Sequence, residues 1–443
     1  MAVTAAFAIV AGAAAPSHAI EIKRMTLKSG ATLLVSEQHQ LPMVTMAIAF
    51  DAGSRRDPKG KEGRAALTAE SLMQGTRELS ADQFNQAVDF IGSSVSVSAG
   101  QDYAEAGLTT LKKYTDDTLH LLAGVLETPG LRDSDIERKR DEQVAGIKAA
   151  EEQPGYVAGV AFRKALFGDS PYGHSPEGNA ESVAGLTPAD VRDFYHEYYK
   201  LGGAVIAVVG DVKADEIRDK LEASLSGLAG SVPPQAKPPA PTVPAGIHLT
   251  TIDRNVAQAN LILGFGGIAR SDPDYYRLQV MNYILGGGGF ASRLTKEVRS
   301  KAGLAYSIGS MFNAALFPGS FEVVLQTKNK SANEALRMIL DQMREIQNAP
   351  VSDAELASAR KFLVGSFPLK IDRQSAIASF MLQIELYGLG LDYADRYPKL
   401  IEAVTKEDVQ RVAKQYLHPD ALLLVAAANQ SEAAISVANL EKR

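Results

Sequence analysis

The sequence predicts an α+β protein of two homologous domains, each a mainly antiparallel sheet packed with helices. Three observations carry that prediction. First, the stretch from Leu186-Thr187-Pro188 through Asp190-Val191 recurs as Val404-Thr405-Lys406 through Asp408-Val409. An apolar, strand-like run follows each copy, at 204–209 and 421–427. Second, Phe50 with the later Asp57-Pro58 recurs as Phe265 with Asp272-Pro273, again after β-like runs. The two pairs of anchors share nearly one spacing, which indicates duplication of a single unit. Third, residues 231–244 hold six prolines in fourteen positions, which suits neither a helix nor a central strand and reads as an extended spacer.

These marks divide the chain into residues 20–230, a proline-rich linker at 231–245, and residues 246–443. A chain of 443 residues, 46% of them hydrophobic, is long enough for two full cores. A formal charge of −6 without long like-charged blocks gives no nucleic-acid surface. Zero cysteines rule out a disulfide framework and a thiol nucleophile. Residues 1–19 form an apolar run ending in Ser17-His18-Ala19, the pattern of a secretory signal with a small-residue cleavage site and too short for a membrane span. The mature chain is therefore expected to begin near Ile20, without a membrane span, in a bacterial periplasm.

Within the first half, strands are expected at 25–27, 32–36 and 44–50, then a helix, further strands and several helices. Thr187 and Thr405 read as helix N-caps, each with an aspartate three positions on, Asp190 and Asp408. Strands grouped with helices on one face give α+β sandwiches. Residues 94–100 alternate small polar and apolar side chains, with Val95 and Val97 on one face. That is the pattern of an edge strand to which an extended peptide could add. Residues 319–326 have a similar pattern. Either segment also reads as an ordinary sheet strand.

The segment Gly63-Arg64-Ala65-Ala66-Leu67-Thr68-Ala69-Glu70 resembles the Gly-x-Ala-His-x-x-Glu-His motif of pitrilysin/insulinase-type zinc peptidases. The family's two histidines fall on Ala66 and Glu70, and its general base on Ala69. Its third metal ligand, a glutamate well downstream of the second histidine, falls on Gly146. Glu70 alone is a weak ligand and reads as a helix carboxylate. None of the seven histidines pairs with another at the close spacing of a metal motif. No metal site is expected in this chain, and it should not hydrolyse peptides alone.

A second resemblance lies in Glu297-Val298-Arg299-Ser300-Lys301-Ala302-Gly303-Leu304-Ala305-Tyr306, where the family carries an Arg and a Tyr that reach the zinc site of another domain. Lying on either side of an expected helix-to-strand turn, Arg299 and Tyr306 could converge. Tyr306 would donate to an oxyanion and Arg299 would hold a carbonyl or carboxylate. A surface arginine and a core-edge tyrosine is the plainer reading. Gly286, Gly287, Gly288 and Gly289 are followed by Phe290-Ala291-Ser292-Arg293 rather than Lys-Ser/Thr, which disfavours a phosphate loop. They read as a turn between helices, or, by the resemblance, as a substrate-contact loop like that of the processing peptidase's non-catalytic subunit.

The resemblance thus implies a processing-peptidase-like fold and a zinc-free subunit of a two-chain peptidase. Its expected partners are a homologous zinc-bearing subunit and peptide substrates, with the only cofactor, zinc, in the partner. Two alternatives stand beside it: a non-enzymatic peptide-binding or assembly protein of the same fold, and a complete peptidase with an unrecognised metal site.

Overall fold

The computed structural model describes residues 20–242 and 245–441. The expected export signal at 1–19 lies outside them. The first half builds a six-stranded sheet from β1 (Lys23–Thr26), β2 (Thr32–Glu37), β3 (Met43–Phe50), β4 (Ser94–Ala99), β5 (Ala104–Leu111) and β6 (Val205–Gly210), in the order β1-β2-β6-β3-β5-β4. The second half builds a five-stranded sheet from β7 (Ile247–Asp253), β8 (Gln258–Gly266), β9 (Ser307–Asn313), β10 (Ser320–Lys328) and β11 (Leu422–Ala428), in the order β7-β11-β8-β10-β9. Each sheet has one parallel pair, β2 with β6 and β7 with β11, and is otherwise antiparallel. The duplication extends to register. Ile48 lies opposite Ile206 in the first sheet, and their repeat equivalents, Leu263 and Leu424, lie opposite each other in the second.

The expected caps form as full capping boxes. Thr187 accepts from the Asp190 amide at the start of helix Pro188–Tyr198, and Thr405 accepts from Asp408 at the start of helix Lys406–Tyr416. Each aspartate returns the bond to the threonine amide.

Each strand of the sheet centre is apolar on both faces, and this departs from the one-faced sandwich expected from sequence. Alternate residues Met46, Ile48, Ile206 and Val208 enter the core of their own half, whereas Ala47, Ala49, Val205, Ala207 and Val209 point the other way. Those outward residues are covered by Ile377, Ala378, Met381 and Leu382 of helix Gln374–Leu386, which belongs to the second half. Reciprocally, Ile262, Val425 and Ala427 of the second sheet are covered by Ala158, Phe162 and Leu166 of helix Pro154–Phe167, from the first half. Burial on both faces explains the continuous apolar runs at β6 and β11. The two covering helices hold matching places in the two repeats, Ala158 playing against the second sheet the part that Ala378 plays against the first.

Residues 232–242 of the proline-rich segment form neither helix nor strand, and their start is fastened to the first half. Arg56 donates to the Pro233 carbonyl at 2.9 Å, and Gln235 donates to the Arg55 carbonyl at 2.6 Å while accepting from the Arg55 guanidinium. Both arginines are buried and ion-paired to Asp51. Among the described residues no helix is long and apolar enough to cross a membrane.

The reciprocal helix contact predicts a large penalty for hollowing it. Phe162, 2% exposed between helix and foreign sheet, should on Phe162→Ala cost about 3–5 kcal/mol in denaturant unfolding. A cost under about 1 kcal/mol, the level of a surface change, would show that the cross-half contact contributes little.

Candidate functional site

The degenerate motif sits on helix Arg64–Leu72. Gly63 ends the preceding turn at φ +92°, and a Cβ there would lie 2.5 Å from the Glu177 carbonyl, so both backbone and space require glycine. The helix start is satisfied by Asp57, whose carboxylate accepts the amides of Gly63 at 2.9 Å and Ala65 at 2.8 Å. Burial pushes the Asp57 carboxyl up to about 8, against those two amides and the Arg64 charge. Arg64 lies over the Phe194 ring, 5.1 Å from its centre. Ala66 and Ala69 are buried, and Glu70 alone projects from the helix into solvent.

Helix Asp133–Glu151 crosses this helix and carries Gly146. Lys139 from that helix places its ammonium 3.5 Å from Glu70 Oε2 and 3.0 Å from Glu142 Oε2. Arg138 donates to Glu142 at 2.8 Å and to Gln74 at 2.7 Å, and Gln74 donates to the Glu70 carbonyl at 3.0 Å. A Cβ on Gly146 would meet nothing within 4 Å. The four positions that resemble the metal site and its base thus hold two methyl groups, a hydrogen, and a carboxylate beside an ammonium. Zinc needs three or four N, O or S donors around one point, and these residues do not fit it. Among the described residues no cluster of three or more His, Asp or Glu is disposed to hold a metal.

Strand β4 packs against the motif helix and is the outer strand of its sheet, paired only with β5. Val97 enters the core and Val95 packs against it, while Ser94, Ser96 and Ser98 face solvent. An added peptide would therefore meet the free backbone edge of β4, not the valine side chains. The similar segment at 319–326 is placed differently from an edge: it forms β10, hydrogen-bonded to β8 on one side and β9 on the other. The outer strands of the second sheet are β7 and β9, and Tyr306 immediately precedes β9.

The Arg–Tyr segment begins in the wide helical turn Thr295–Lys301, anchored by buried Val298 and Leu294. Arg299 is exposed and its guanidinium lies over the Phe290 ring, 5.1 Å from the centre. Tyr306 is 47% exposed and is fixed by its amide, which donates to the Gln326 carbonyl at 2.8 Å. Neither the Arg299 guanidinium nor the Tyr306 hydroxyl hydrogen-bonds to a described residue.

The glycines turn out to be close-packed rather than loose. A Cβ on Gly286 would lie 2.4 Å from Ser310 Oγ, one on Gly287 2.6 Å from Asn282 Nδ2, and one on Gly288 2.6 Å from the Tyr283 carbonyl. Of the four, only Gly289, at φ +54°, has open space around it. Asn282 donates to the Ser310 carbonyl at 3.1 Å and accepts from Ser310 Oγ at 2.7 Å, which fastens the turn to β9. Glycine loop, Phe290, Arg299 and the strand following Tyr306 therefore form one surface of the second half, whereas Ala66, Ala69, Glu70 and Gly146 belong to the first.

Phe290, Lys139 and the Arg293–Glu355 pair were not identified from sequence. Phe290 directly follows the glycines, which is the one signal that could have singled it out. Arg293 grips Glu355 with two bonds, 2.7 and 3.1 Å, and Ser352 adds amide and hydroxyl bonds to the same carboxylate. Burial would raise the Glu355 carboxyl, but Arg293 and Ser352 outweigh it and hold it at about 2. A carboxyl lowered in the folded state contributes stability above its unfolded value near 4.5 and loses it as pH falls toward 2. Glu355→Gln should cost about 1–3 kcal/mol at pH 7, with the deficit shrinking below pH 4.5 in thermal melts. A deficit independent of pH would assign the pair no electrostatic role. Glu70→Ala, by contrast, removes only an exposed ion pair and should change stability by no more than about 0.5 kcal/mol.

Residues 33–177 match the family described as insulinase, peptidase family M16, and residues 185–363 match the Peptidase M16 inactive domain. An uncharacterised zinc protease of Streptomyces coelicolor is 28% identical over 406 residues, covering 89% of this chain and 87% of the relative. A non-peptidase homologue of Helicobacter pylori is 25% identical over 409 residues, covering 90% of this chain and 92% of the relative. A crystal structure of a peptidase M16 inactive domain from Pseudomonas fluorescens superposes with a TM-score of 0.86 at 29% identity, over 92% of this chain and 98% of that one. Two-sheet fold, duplicated register and both matched regions lead to one assignment: the chain belongs to peptidase family M16, as a member with Ala66, Ala69, Glu70 and Gly146 at the positions of the zinc motif.

Proposed function

We propose that this chain is the zinc-free subunit of a two-subunit metallopeptidase. It pairs with a homologous subunit carrying an intact His-x-x-Glu-His motif, forms half of the peptide chamber, and contributes Arg299 and Tyr306 to peptide-bond hydrolysis at the partner's site. The carrying observation is an asymmetry. The first half lacks the donor set, while Arg299 and Tyr306 present a guanidinium and a phenol to solvent with no hydrogen-bond partner among the described residues. A tyrosine O–H placed about 2.7–3.1 Å from a developing oxyanion stabilises it, and a guanidinium can hold a neighbouring carbonyl or carboxylate. Phe290 limits the swing of Arg299, and the Tyr306 amide bond to β10 fixes where its ring emerges. The free edge of β4 supplies backbone groups for an extended peptide, which suits length-selective, sequence-tolerant binding. The apolar amino-terminal run supports export, so pairing would take place in the periplasm.

The test is peptide hydrolysis by this chain alone, by the His-x-x-Glu-His subunit alone, and by their equimolar mixture with zinc. Activity confined to the mixture is the expected outcome. Tyr306→Phe and Arg299→Ala should each lower turnover of the mixture by about 10²-fold or more while co-elution persists. A mixture no faster than the zinc subunit alone would replace this reading with a non-enzymatic peptide-binding or assembly protein of the same fold. Chelator-sensitive hydrolysis by this chain alone would require a metal site elsewhere.

A further inference from the structure

A cleft of about 410 Å³ lies where the two halves meet, between the first half's covering helix Pro154–Phe167 and strand β10. Its volume falls within the range of small-molecule sites. Polar groups of opposite charge line it and are left unneutralised. On one side, Arg163 makes a single 3.3 Å bond, to Gln101 Oε1, and forms no ion pair with a described residue. That bond fixes the orientation of the Gln101 amide, and its Nε2 is then a buried donor without an acceptor. Buried donors are ordinarily satisfied, so the unmatched Gln101 N–H beside a guanidinium marks a place for an anionic acceptor. Across the cleft stands Glu322, whose Oε1 accepts from Ser320 Oγ at 2.5 Å and Asn313 Nδ2 at 2.9 Å, with no cation paired to it among the described residues. Phe167, partly exposed, gives the cleft an apolar surface, with Phe162 buried behind it.

We infer that this cleft binds an apolar α-amino acid as its zwitterion: carboxylate on Arg163 and Gln101, ammonium on Glu322, side chain on Phe167. The charge pattern selects against the alternatives. A dianion such as phosphate would meet Glu322, and a metal cation would meet Arg163. A zwitterion satisfies both ends, and because the ends belong to different halves it ties the halves together. The site is independent of the proposed pairing with a zinc subunit and is tested on this chain alone.

The experiment is a thermal-shift and calorimetric titration with L-leucine, N-acetyl-L-leucine, L-leucinamide and glycyl-L-leucine. Ligand binding to the folded state raises the melting temperature by mass action, so L-leucine should stabilise the chain, and each singly blocked derivative should bind at least tenfold more weakly. Glu322→Gln should erase the preference for leucine over N-acetyl-leucine, and Arg163→Gln the preference for leucine over leucinamide. These are ratios within one variant, so a general loss of stability does not mimic them. No shift by leucine up to about 10 mM, well above a millimolar affinity, would overturn the inference. So would leucine binding that neither substitution alters. Binding of glycyl-leucine without leucine would overturn it in favour of a site for peptide ends.

Discussion

The structure depends on an exchange of helices. Each central sheet is apolar on both faces, and each half can cover only one of them with its own helices. The remaining face of the first sheet, with Ala47, Ala49 and Val209, is closed by Met381 and Leu382 from the second half. The corresponding face of the second, with Ile262 and Val425, is closed by Phe162 and Leu166 from the first. Neither half could leave the other without exposing a sheet face and the apolar side of a helix to water, and burial of that kind is the dominant favourable term in folding. The small residues at Ala47, Ala49, Ala207 and Ala427 let the foreign helix approach closely. The same arrangement creates the cleft between helix Pro154–Phe167 and β10, because a helix covering a foreign sheet meets polar groups at the sheet's rim.

Much of this was legible in the sequence. The duplication was visible from Phe50, Thr187 and their mates, and the structure repeats it down to the strand register. Thr187 and Thr405 were read correctly as caps because a capping box is a local device, complete within a single helical turn. The helix exchange was not legible. Helices Pro154–Phe167 and Gln374–Leu386 look like ordinary buried helices, and nothing in a single sequence says whose sheet they cover. The apolar runs at β6 and β11 did hint at burial on both faces. Segment 319–326 illustrates the same limit: its alternation resembles that of β4, but neighbours on both sides, not pattern, decide whether a strand is an edge. The glycine run was ambiguous for a different reason. A glycine required by close packing and one required by flexibility are the same letter, and only Ser310 and Asn282 reveal which is present.

The repeat relation also explains why the two candidate regions differ so much in chemistry. Shifted by the spacing that carries Phe50 onto Phe265, the motif helix Arg64–Leu72 falls on residues 279–287, which end in the glycine turn. Motif helix and glycine turn therefore occupy one repeat position, and each packs against the outer strand of its own sheet, β4 or β9. In the first half that position resembles a metal-binding helix. In the second it is a tight turn that presents Phe290 and supports Arg299. A duplicated unit thus offers the same sheet-edge location twice, and its two copies were free to acquire unrelated side chains there.

The scaffold around the substituted motif is complete, and a physical reason can be given for it. Asp57 caps the helix, Gly63 occupies its left-handed turn, and Gln143 donates to the Gly63 and Glu177 carbonyls. These groups hold a helix whose buried face, with Leu67 and Leu72, belongs to the first core and supports strand β4. Alanine at Ala66 and Ala69 carries no metal-ligating or basic group and costs no packing, since alanine is the best helix former and a buried methyl needs no partner. Losing Asp57 would instead leave the Gly63 and Ala65 amides unsatisfied in the interior, and a side chain at Gly63 would collide with the Glu177 carbonyl. The side chains at Ala66 and Ala69 are therefore free to differ from those of the motif while Asp57 and Gly63 are not, and the helix persists as the support of an edge strand.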